Sequence, residues 1–159
     1  MAAFEIGEEA IARGNSALAL PNVWIPELVE RFASFLHPNV VICTLRCVDK
    51  ATAKQFGGRP EFATVRLSQA VPPHAFAARW ASPGAMRDLT LARRKEVLCL
   101  TAASGVVANL EVAIDAAGML LDAYQLTALL HAAAAAGHAG AVRHLAETER
   151  KLALSSGGL

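Results

Sequence analysis

Hydrophobic and polar residues follow helical spacing along most of the chain. After Pro26, the apolar residues Leu28, Phe32, Phe35 and Leu36 recur at positions i, i+4, i+7 and i+8, which is one stripe of a helix. Proline is well tolerated in a first helical turn. The pattern therefore predicts an amphipathic helix that begins at Pro26 and stops at the His-Pro-Asn sequence that follows.

A second helix is predicted directly afterwards, with Val41, Leu45 and Val48 on one side. The run Gly-Gly-Arg-Pro at 57–60 is the clearest break in the chain, because glycine and proline both interrupt regular structure. We place a module boundary there. Beyond it, helices are predicted from the prolines at 72–73 and over 91–104.

An internal repeat covers the C-terminal part. Aligning Gly105 with Gly137 gives an offset of 32 residues, and several neighbouring positions can be paired at the same offset. The coinciding pairs are Cys99 with His131, Thr101 with Ala133, Leu110 with Val142 and Ala113 with Leu145. A period of this length is typical of paired helices that stack as a solenoid, each pair covering the apolar face of the next.

Composition narrows the class. Of 159 residues, 54% are hydrophobic and 6% aromatic, and alanine, the best helix former, is unusually frequent. This favours an all-α protein and argues against a disordered chain. The net charge of +1 lacks the basic excess of a nucleic-acid binder. The uncharged stretch 123–142 has the length of a membrane span but carries tyrosine, glutamine, threonine and two histidines, so we expect no membrane partner.

Metal or enzyme chemistry is not expected. The three cysteines are an odd number, which indicates a reducing compartment, cytoplasmic or nuclear, and not a disulfide framework. Cys43 and Cys47 share a helix face but have no further ligand at suitable spacing. The five histidines are scattered, and no nucleophile or phosphate-loop motif is present. We predict no cofactor, no metal and no catalytic activity.

Residues 97–148 resemble the ankyrin repeat family. Positions 128–138 read Ala-Leu-Leu-His-Ala-Ala-Ala-Ala-Ala-Gly-His and are followed by Val142 and Leu145, close to the family pattern. Alanine and leucine replace its usual Thr-Pro, and the preceding unit keeps Gly105 but lacks both histidines. The resemblance implies stacked helix pairs in which His131 and His138 have structural roles, with their rings hydrogen-bonded to neighbouring backbone.

The segment 22–56 resembles an F-box. It contains Ile-Pro-Glu-Leu-Val at 25–29 and Val-Asp-Lys at 48–50, but the proline directly precedes the glutamate and the closing aromatic is missing at Thr52. The resemblance implies binding to a Skp-type adaptor of a cullin–RING ubiquitin ligase. The implied adaptor-facing residues are Ile25, Pro26, Leu28, Val29, Leu36, Leu45 and Val48. Alternatively, the same residues bury against the first repeat.

A partner surface is predicted at the tip between the repeats. The run 119–125, Met-Leu-Leu-Asp-Ala-Tyr-Gln, is unusually apolar for a loop. The predicted contact residues are Met119, Leu121, Tyr124 and Gln125, with Tyr124, the only tyrosine, as the expected hot spot. The alternative is that Leu120 and Leu121 pack into the core.

The complete expectation is an all-α protein with a short helical F-box-like module followed by stacked ankyrin-like helix pairs, a partial solenoid. Its predicted segments are a loose arm at 1–20, the F-box-like module at 21–56, a linker at 57–72, the repeats at 73–148 and a tail at 149–159. The expected function is that of a non-catalytic protein–protein interaction adaptor, most concretely a substrate-recruiting subunit of a ubiquitin ligase. The alternative is a stand-alone helical repeat scaffold without ligase function.

Overall fold

A computed structural model describes residues 24–156, with side chains described to residue 154. All regular elements in this span are helical, which confirms the predicted all-α class for the described residues. The α-helices are α1 (Pro26–Ser34), α2 (Pro38–Cys43), α3 (Lys50–Phe56), α4 (Pro73–Trp80), α5 (Leu91–Ser104), α6 (Val107–Ala117), α7 (Ala123–Ala135) and α8 (Ala139–Ser156). Two short 3-10 helices lie at Leu45–Cys47 and Pro60–Phe62. The predicted loose arm, 1–20, lies outside the described residues.

The chain divides into two compact units, residues 1–35 and 36–159. Within the described residues, the first unit contains α1 and the second contains α2 to α8. This division differs from the boundary predicted at 57–60, because the segment 57–72 lies inside the second unit.

Helix α1 begins as the sequence predicts. Ile25 is extended, Pro26 occupies the first turn, and the acidic Glu27 lies at the positive end of the helix dipole. The apolar stripe, however, is at the surface: Phe32 and Phe35 are exposed. The buried residues of α1 are instead Val29 and Ala33, on the neighbouring face.

The predicted second helix is divided into α2, a 3-10 helix and α3. The His37 side chain accepts a hydrogen bond from the backbone N–H of Asn39 at 3.2 Å and caps α2. Thr44 leaves helical geometry, with φ −126° and ψ −61°, so α2 ends and the 3-10 helix at 45–47 follows. Asp49 then caps α3 by accepting a hydrogen bond from the N–H of Thr52 at 2.7 Å.

The C-terminal helices form two pairs at the predicted offset. Helices α5 and α7 begin at residues 91 and 123, and α6 and α8 at 107 and 139, so both offsets are 32. The N-caps share the offset: Thr90 accepts from the N–H of Arg93 at 3.3 Å, and Asp122 from that of Gln125 at 2.7 Å. Helix α5 packs against α7 and α6 against α8, so the pairs are stacked.

The main core lies between these pairs and α4. Its fully or almost fully buried apolar residues are Val71, Phe76, Met86, Val97, Leu98, Ala102, Leu110, Ala113, Ala117, Leu126, Leu129, Ala133, Ala141 and Leu145. Alanine contributes five of these positions, which allows close packing with little area buried per residue. Helix α8 is longer than α6, 18 residues against 11, and continues to Ser156 through the segment predicted as a tail.

The predicted linker is anchored by two buried asparagines. Nδ2 of Asn39 on α2 donates to the carbonyl oxygens of Arg66 at 2.9 Å and Ala70 at 3.2 Å, and its Oδ1 accepts from the N–H of Arg66 at 3.0 Å. Nδ2 of Asn109 on α6 donates to the carbonyl oxygen of Val71 at 2.8 Å. The segment 66–71 is therefore held by α2 on one side and by α6 on the other.

Candidate functional site

An apolar groove lies between α5 and α7. Its cavity has a volume of about 200 Å³. The lining residues are Lys95, Leu98, Cys99, Leu121, Tyr124, Gln125, Ala128 and Leu129. We call this feature the α5–α7 groove.

Helix geometry places these side chains together. On α5, Lys95, Leu98 and Cys99 are three to four residues apart and share one face. On α7, Tyr124 and Ala128 are related in the same way, at the start of the helix. Because Asp122 caps α7, the first turn of that helix is fixed where it faces α5.

The polar groups of the groove are few. The Lys95 ammonium forms no ion pair with a carboxylate of the described residues; the neighbouring Glu96 pairs with Arg93 at 2.6 Å. The amide oxygen Oε1 of Gln125 is buried and accepts no hydrogen bond from the described residues. Burial raises the pKa of the Cys99 thiol, so at neutral pH it is a neutral, weakly nucleophilic group.

Three of the four predicted partner-contact residues line the groove. Leu121, Tyr124 and Gln125 are among its lining residues, and Tyr124 is 82% exposed. Met119 is half-buried against the main core and does not line the groove. The alternative that both leucines pack inward holds only for Leu121, because Leu120 is 95% exposed.

The predicted adaptor-facing residues differ in exposure. Ile25, Pro26, Leu36 and Val48 are exposed and Leu28 is half-buried. The structure corrects the set at two positions, since Val29 is 1% and Leu45 7% exposed. A side chain removed from solvent to that degree has no surface left for a partner.

The described residues that could bind a metal ion do not form a cluster. Between residues 24 and 156, no three histidine, cysteine, aspartate or glutamate residues lie close enough to hold a metal ion. Cys43, Cys47 and Cys99 are free thiols.

Arg94 connects separate parts of the fold: its guanidinium donates to the carbonyl oxygens of Leu89 at 3.1 Å and Ala117 at 3.0 Å. No helix in the described part of the chain is long and apolar enough to cross a membrane.

The two repeat histidines have different surroundings. The His138 ring lies against Gly105, whose φ of +74° ends α5 in a left-handed turn. A Cβ at Gly105 would overlap this ring. Among the described residues, His138 is therefore held by packing against Gly105, and its ring forms no hydrogen bond with them. His131 is exposed on α7, and its ring forms no hydrogen bond with the described residues.

Sequence reasoning missed the α5 wall of the groove. Lys95, Leu98 and Cys99 lie inside a helix whose apolar residues are spread around its circumference, so no stripe singled them out. The available signal was the repeat offset, which places α5 beside α7 and therefore opposite the predicted tip. The buried anchors Asn39 and Asn109 were also missed.

The groove can accept one large apolar side chain beside a cation and a hydrogen-bond acceptor. Its lining lacks the nucleophile–base pair required for covalent catalysis, as the Cys99 thiol has no histidine beside it in the groove. Comparisons of the chain with protein-family models, with curated proteins and with solved structures gave no match.

Proposed function

We propose that this chain is a non-catalytic protein–protein interaction adaptor. The observation that carries the proposal is the α5–α7 groove, an apolar surface with the exposed Tyr124 at its edge. Exposed apolar surface beside a concave, largely apolar pocket is typical of binding sites.

Energetics favour this use of the groove. Tyrosine buries a large area at low conformational-entropy cost and is enriched among residues that dominate interface energies. Leu120, four residues before Tyr124 in the chain, is 95% exposed and adds further apolar surface. Burying such side chains under a partner gains roughly 25 cal/mol per Å² of apolar surface, before the costs of association.

The more specific proposal is a substrate-recruiting subunit of a ubiquitin ligase. It is supported by α1 and its two caps, where Ile25, Phe32 and Phe35 are exposed apolar residues, and by the F-box resemblance of the segment. Under this proposal α1 contributes to binding a Skp-type adaptor, and the groove binds the recruited protein.

A pull-down of the purified full chain with a Skp-type adaptor tests the ligase proposal. Phe35→Asp should abolish capture, because the side chain is 78% exposed and the change places a charge on the apolar stripe. Ser34→Asp is the matched control: it introduces the same residue at an exposed position of α1, and capture should remain. Circular dichroism should show equal helicity for both variants.

Two outcomes would contradict the ligase proposal. One is the absence of capture by the folded wild-type chain. The other is equal capture by wild type and Phe35→Asp. Either outcome would leave the second candidate, a stand-alone helical repeat scaffold, which is favoured because all lining residues of the groove belong to the unit 36–159.

A further inference from the structure

The polar groups of the α5–α7 groove specify what kind of segment it can bind. The cavity volume of about 200 Å³ suits one large apolar side chain and is too small for a whole helix. The apolar contact surface comes from both sides, from Leu98 on α5 and from Leu121, Ala128 and Leu129 at and beyond the start of α7.

Gln125 supplies an unmatched acceptor. Its Oε1 is buried without a donor among the described residues, an arrangement that costs free energy in the unbound protein. A bound donor that reaches Oε1 would recover that cost. An amide N–H of a peptide backbone is the donor that any protein segment carries next to its side chains.

Lys95 supplies an unmatched cation. It is half-buried in the lining, and no carboxylate of the described residues lies within ion-pair distance. The other lining residues carry no charge at neutral pH, since burial keeps the Cys99 thiol protonated. Among the lining residues, a ligand carboxylate therefore meets one positive charge and no negative charge; the Asp122 carboxylate, which accepts from the N–H of Gln125 at 2.7 Å, lies outside this lining.

We propose that the α5–α7 groove recognises a short partner segment in which a large apolar residue is adjacent to an acidic one. The apolar side chain fills the cavity, the backbone N–H donates to Oε1 of Gln125, and the carboxylate pairs with Lys95. This inference rests on the proposed interaction function and names the chemistry of the recruited segment.

The direct test is a titration of the full-length, ¹⁵N-labelled chain with two capped tetrapeptides, Ac-Gly-Asp-Leu-Gly-NH₂ and Ac-Gly-Leu-Asp-Gly-NH₂, followed by NMR. These probes place the carboxylate on either side of the leucine. At least one should shift the amide signals of the facing turns of α5 and α7, including the Gln125 side-chain amide. Peptides with serine in place of leucine should shift none of them.

A double-mutant cycle that removes the lysine charge and the peptide carboxylate tests the Lys95 contact. Lys95→Met should weaken binding of the aspartate peptide about two- to fivefold, the range of a solvent-accessible ion pair. Replacing the peptide aspartate by asparagine should have the same effect on wild type and no further effect on Lys95→Met. Independent, additive losses would contradict the pairing.

Gln125→Leu separates a binding role from a structural one. Removing the unmatched oxygen should raise the stability of the free chain while weakening peptide binding about three- to tenfold. A residue with only a structural role would change stability alone. Unchanged affinity in this variant would overturn the proposed hydrogen bond.

A steric block tests the location. Ala128→Met should fill the cavity and abolish binding, whereas Ala135→Met, the same change at an exposed position of α7, should leave it intact. Three results would overturn the proposal: no shifts at the groove, shifts that persist in Ala128→Met, and self-association of the free chain through the groove in light scattering. None of these results affects the adaptor pull-down, which tests binding through α1. Failure of the groove proposal and failure of the ligase proposal are therefore distinguishable.

Discussion

The two helix pairs, α5–α6 and α7–α8, have the same spacing and different surroundings. In the first pair, Leu98, Ala102 and Leu110 are buried. Their counterparts 32 residues later are half-buried or exposed: Leu130, Ala134 and Val142. These three repeat positions are core in the pair on which another pair stacks, and closer to the surface in the pair on which no further described helix pair stacks. Repeat position alone therefore does not determine burial.

The largest contrast is expected from truncating the same residue in both pairs. Leu98→Ala removes a side chain that is 2% exposed and should destabilise the chain by about 3 kcal/mol, through lost burial and the cavity left behind. Leu130→Ala should cost about 1 kcal/mol, because its surroundings are partly solvent. Urea denaturation of the full chain measures both. Equal costs would refute the comparison.

The two turn glycines should differ next. Gly105 and Gly137 both have positive φ, +74° and +80°, so alanine is strained at either site, by roughly 1–2 kcal/mol. At Gly105 the added methyl also overlaps the His138 ring, whereas nothing lies within 4 Å of a Cβ at Gly137. We expect Gly105→Ala to cost about 1–3 kcal/mol more than Gly137→Ala in the same assay.

The double variant Gly105→Ala/His138→Ala checks the cause of that difference. If the ring is responsible, the double variant should be more stable than the sum of the single effects predicts. Strict additivity would show that the histidine does not oppose the methyl.

A smaller effect is expected where the pairs differ in sequence. Asn109 in the first pair corresponds to Ala141 in the second, and only Asn109 holds the Val71 carbonyl. Asn109→Ala makes the pairs alike and should cost about 1–3 kcal/mol, since it leaves a carbonyl oxygen without its donor. Thermal unfolding followed by circular dichroism measures the loss. A change below about 0.5 kcal/mol would mean that the anchor contributes little.

The smallest effects are expected at the N-caps. Thr90→Ala and Asp122→Ala should each cost about 1 kcal/mol, because each removes the acceptor of a first-turn N–H. The Asp122 cost should be slightly larger and should fall with added salt, since its charge also interacts with the helix dipole. Denaturation at low and high salt measures both. A salt-dependent loss at Thr90 would contradict this explanation.

Local signals predicted the helices well. Helix α5 ends at Ser104, before the predicted break at Gly105, α4 begins at the second of the paired prolines, and the repeat offset is found again in helix starts and caps. These features depend on residues close in sequence, on proline, glycine and capping geometry, and are therefore readable from a single chain.

Features that depend on contacts between residues distant in sequence could not be predicted from the sequence alone. The sequence predicted the apolar stripe of Leu28, Phe32 and Phe35. It did not predict that Phe32 and Phe35 are exposed while Val29 is buried. The burial of Asn39 could not be predicted from the sequence, because its hydrogen-bond partners lie 27 to 31 positions away. In the groove, the sequence indicated the α7 side through Tyr124, and the α5 side required the packing of two helices.

The anchoring of segment 66–71 has a consequence for cooperativity. Opening this segment breaks hydrogen bonds to α2 and to α6 together, so neither helix can lose it without affecting the other. Residues 36–159 should therefore melt in a single transition, with no intermediate in which the repeats persist while α2 and α3 have unfolded. A cut by a protease at the glycines 57–58 would leave two fragments that stay associated under native conditions.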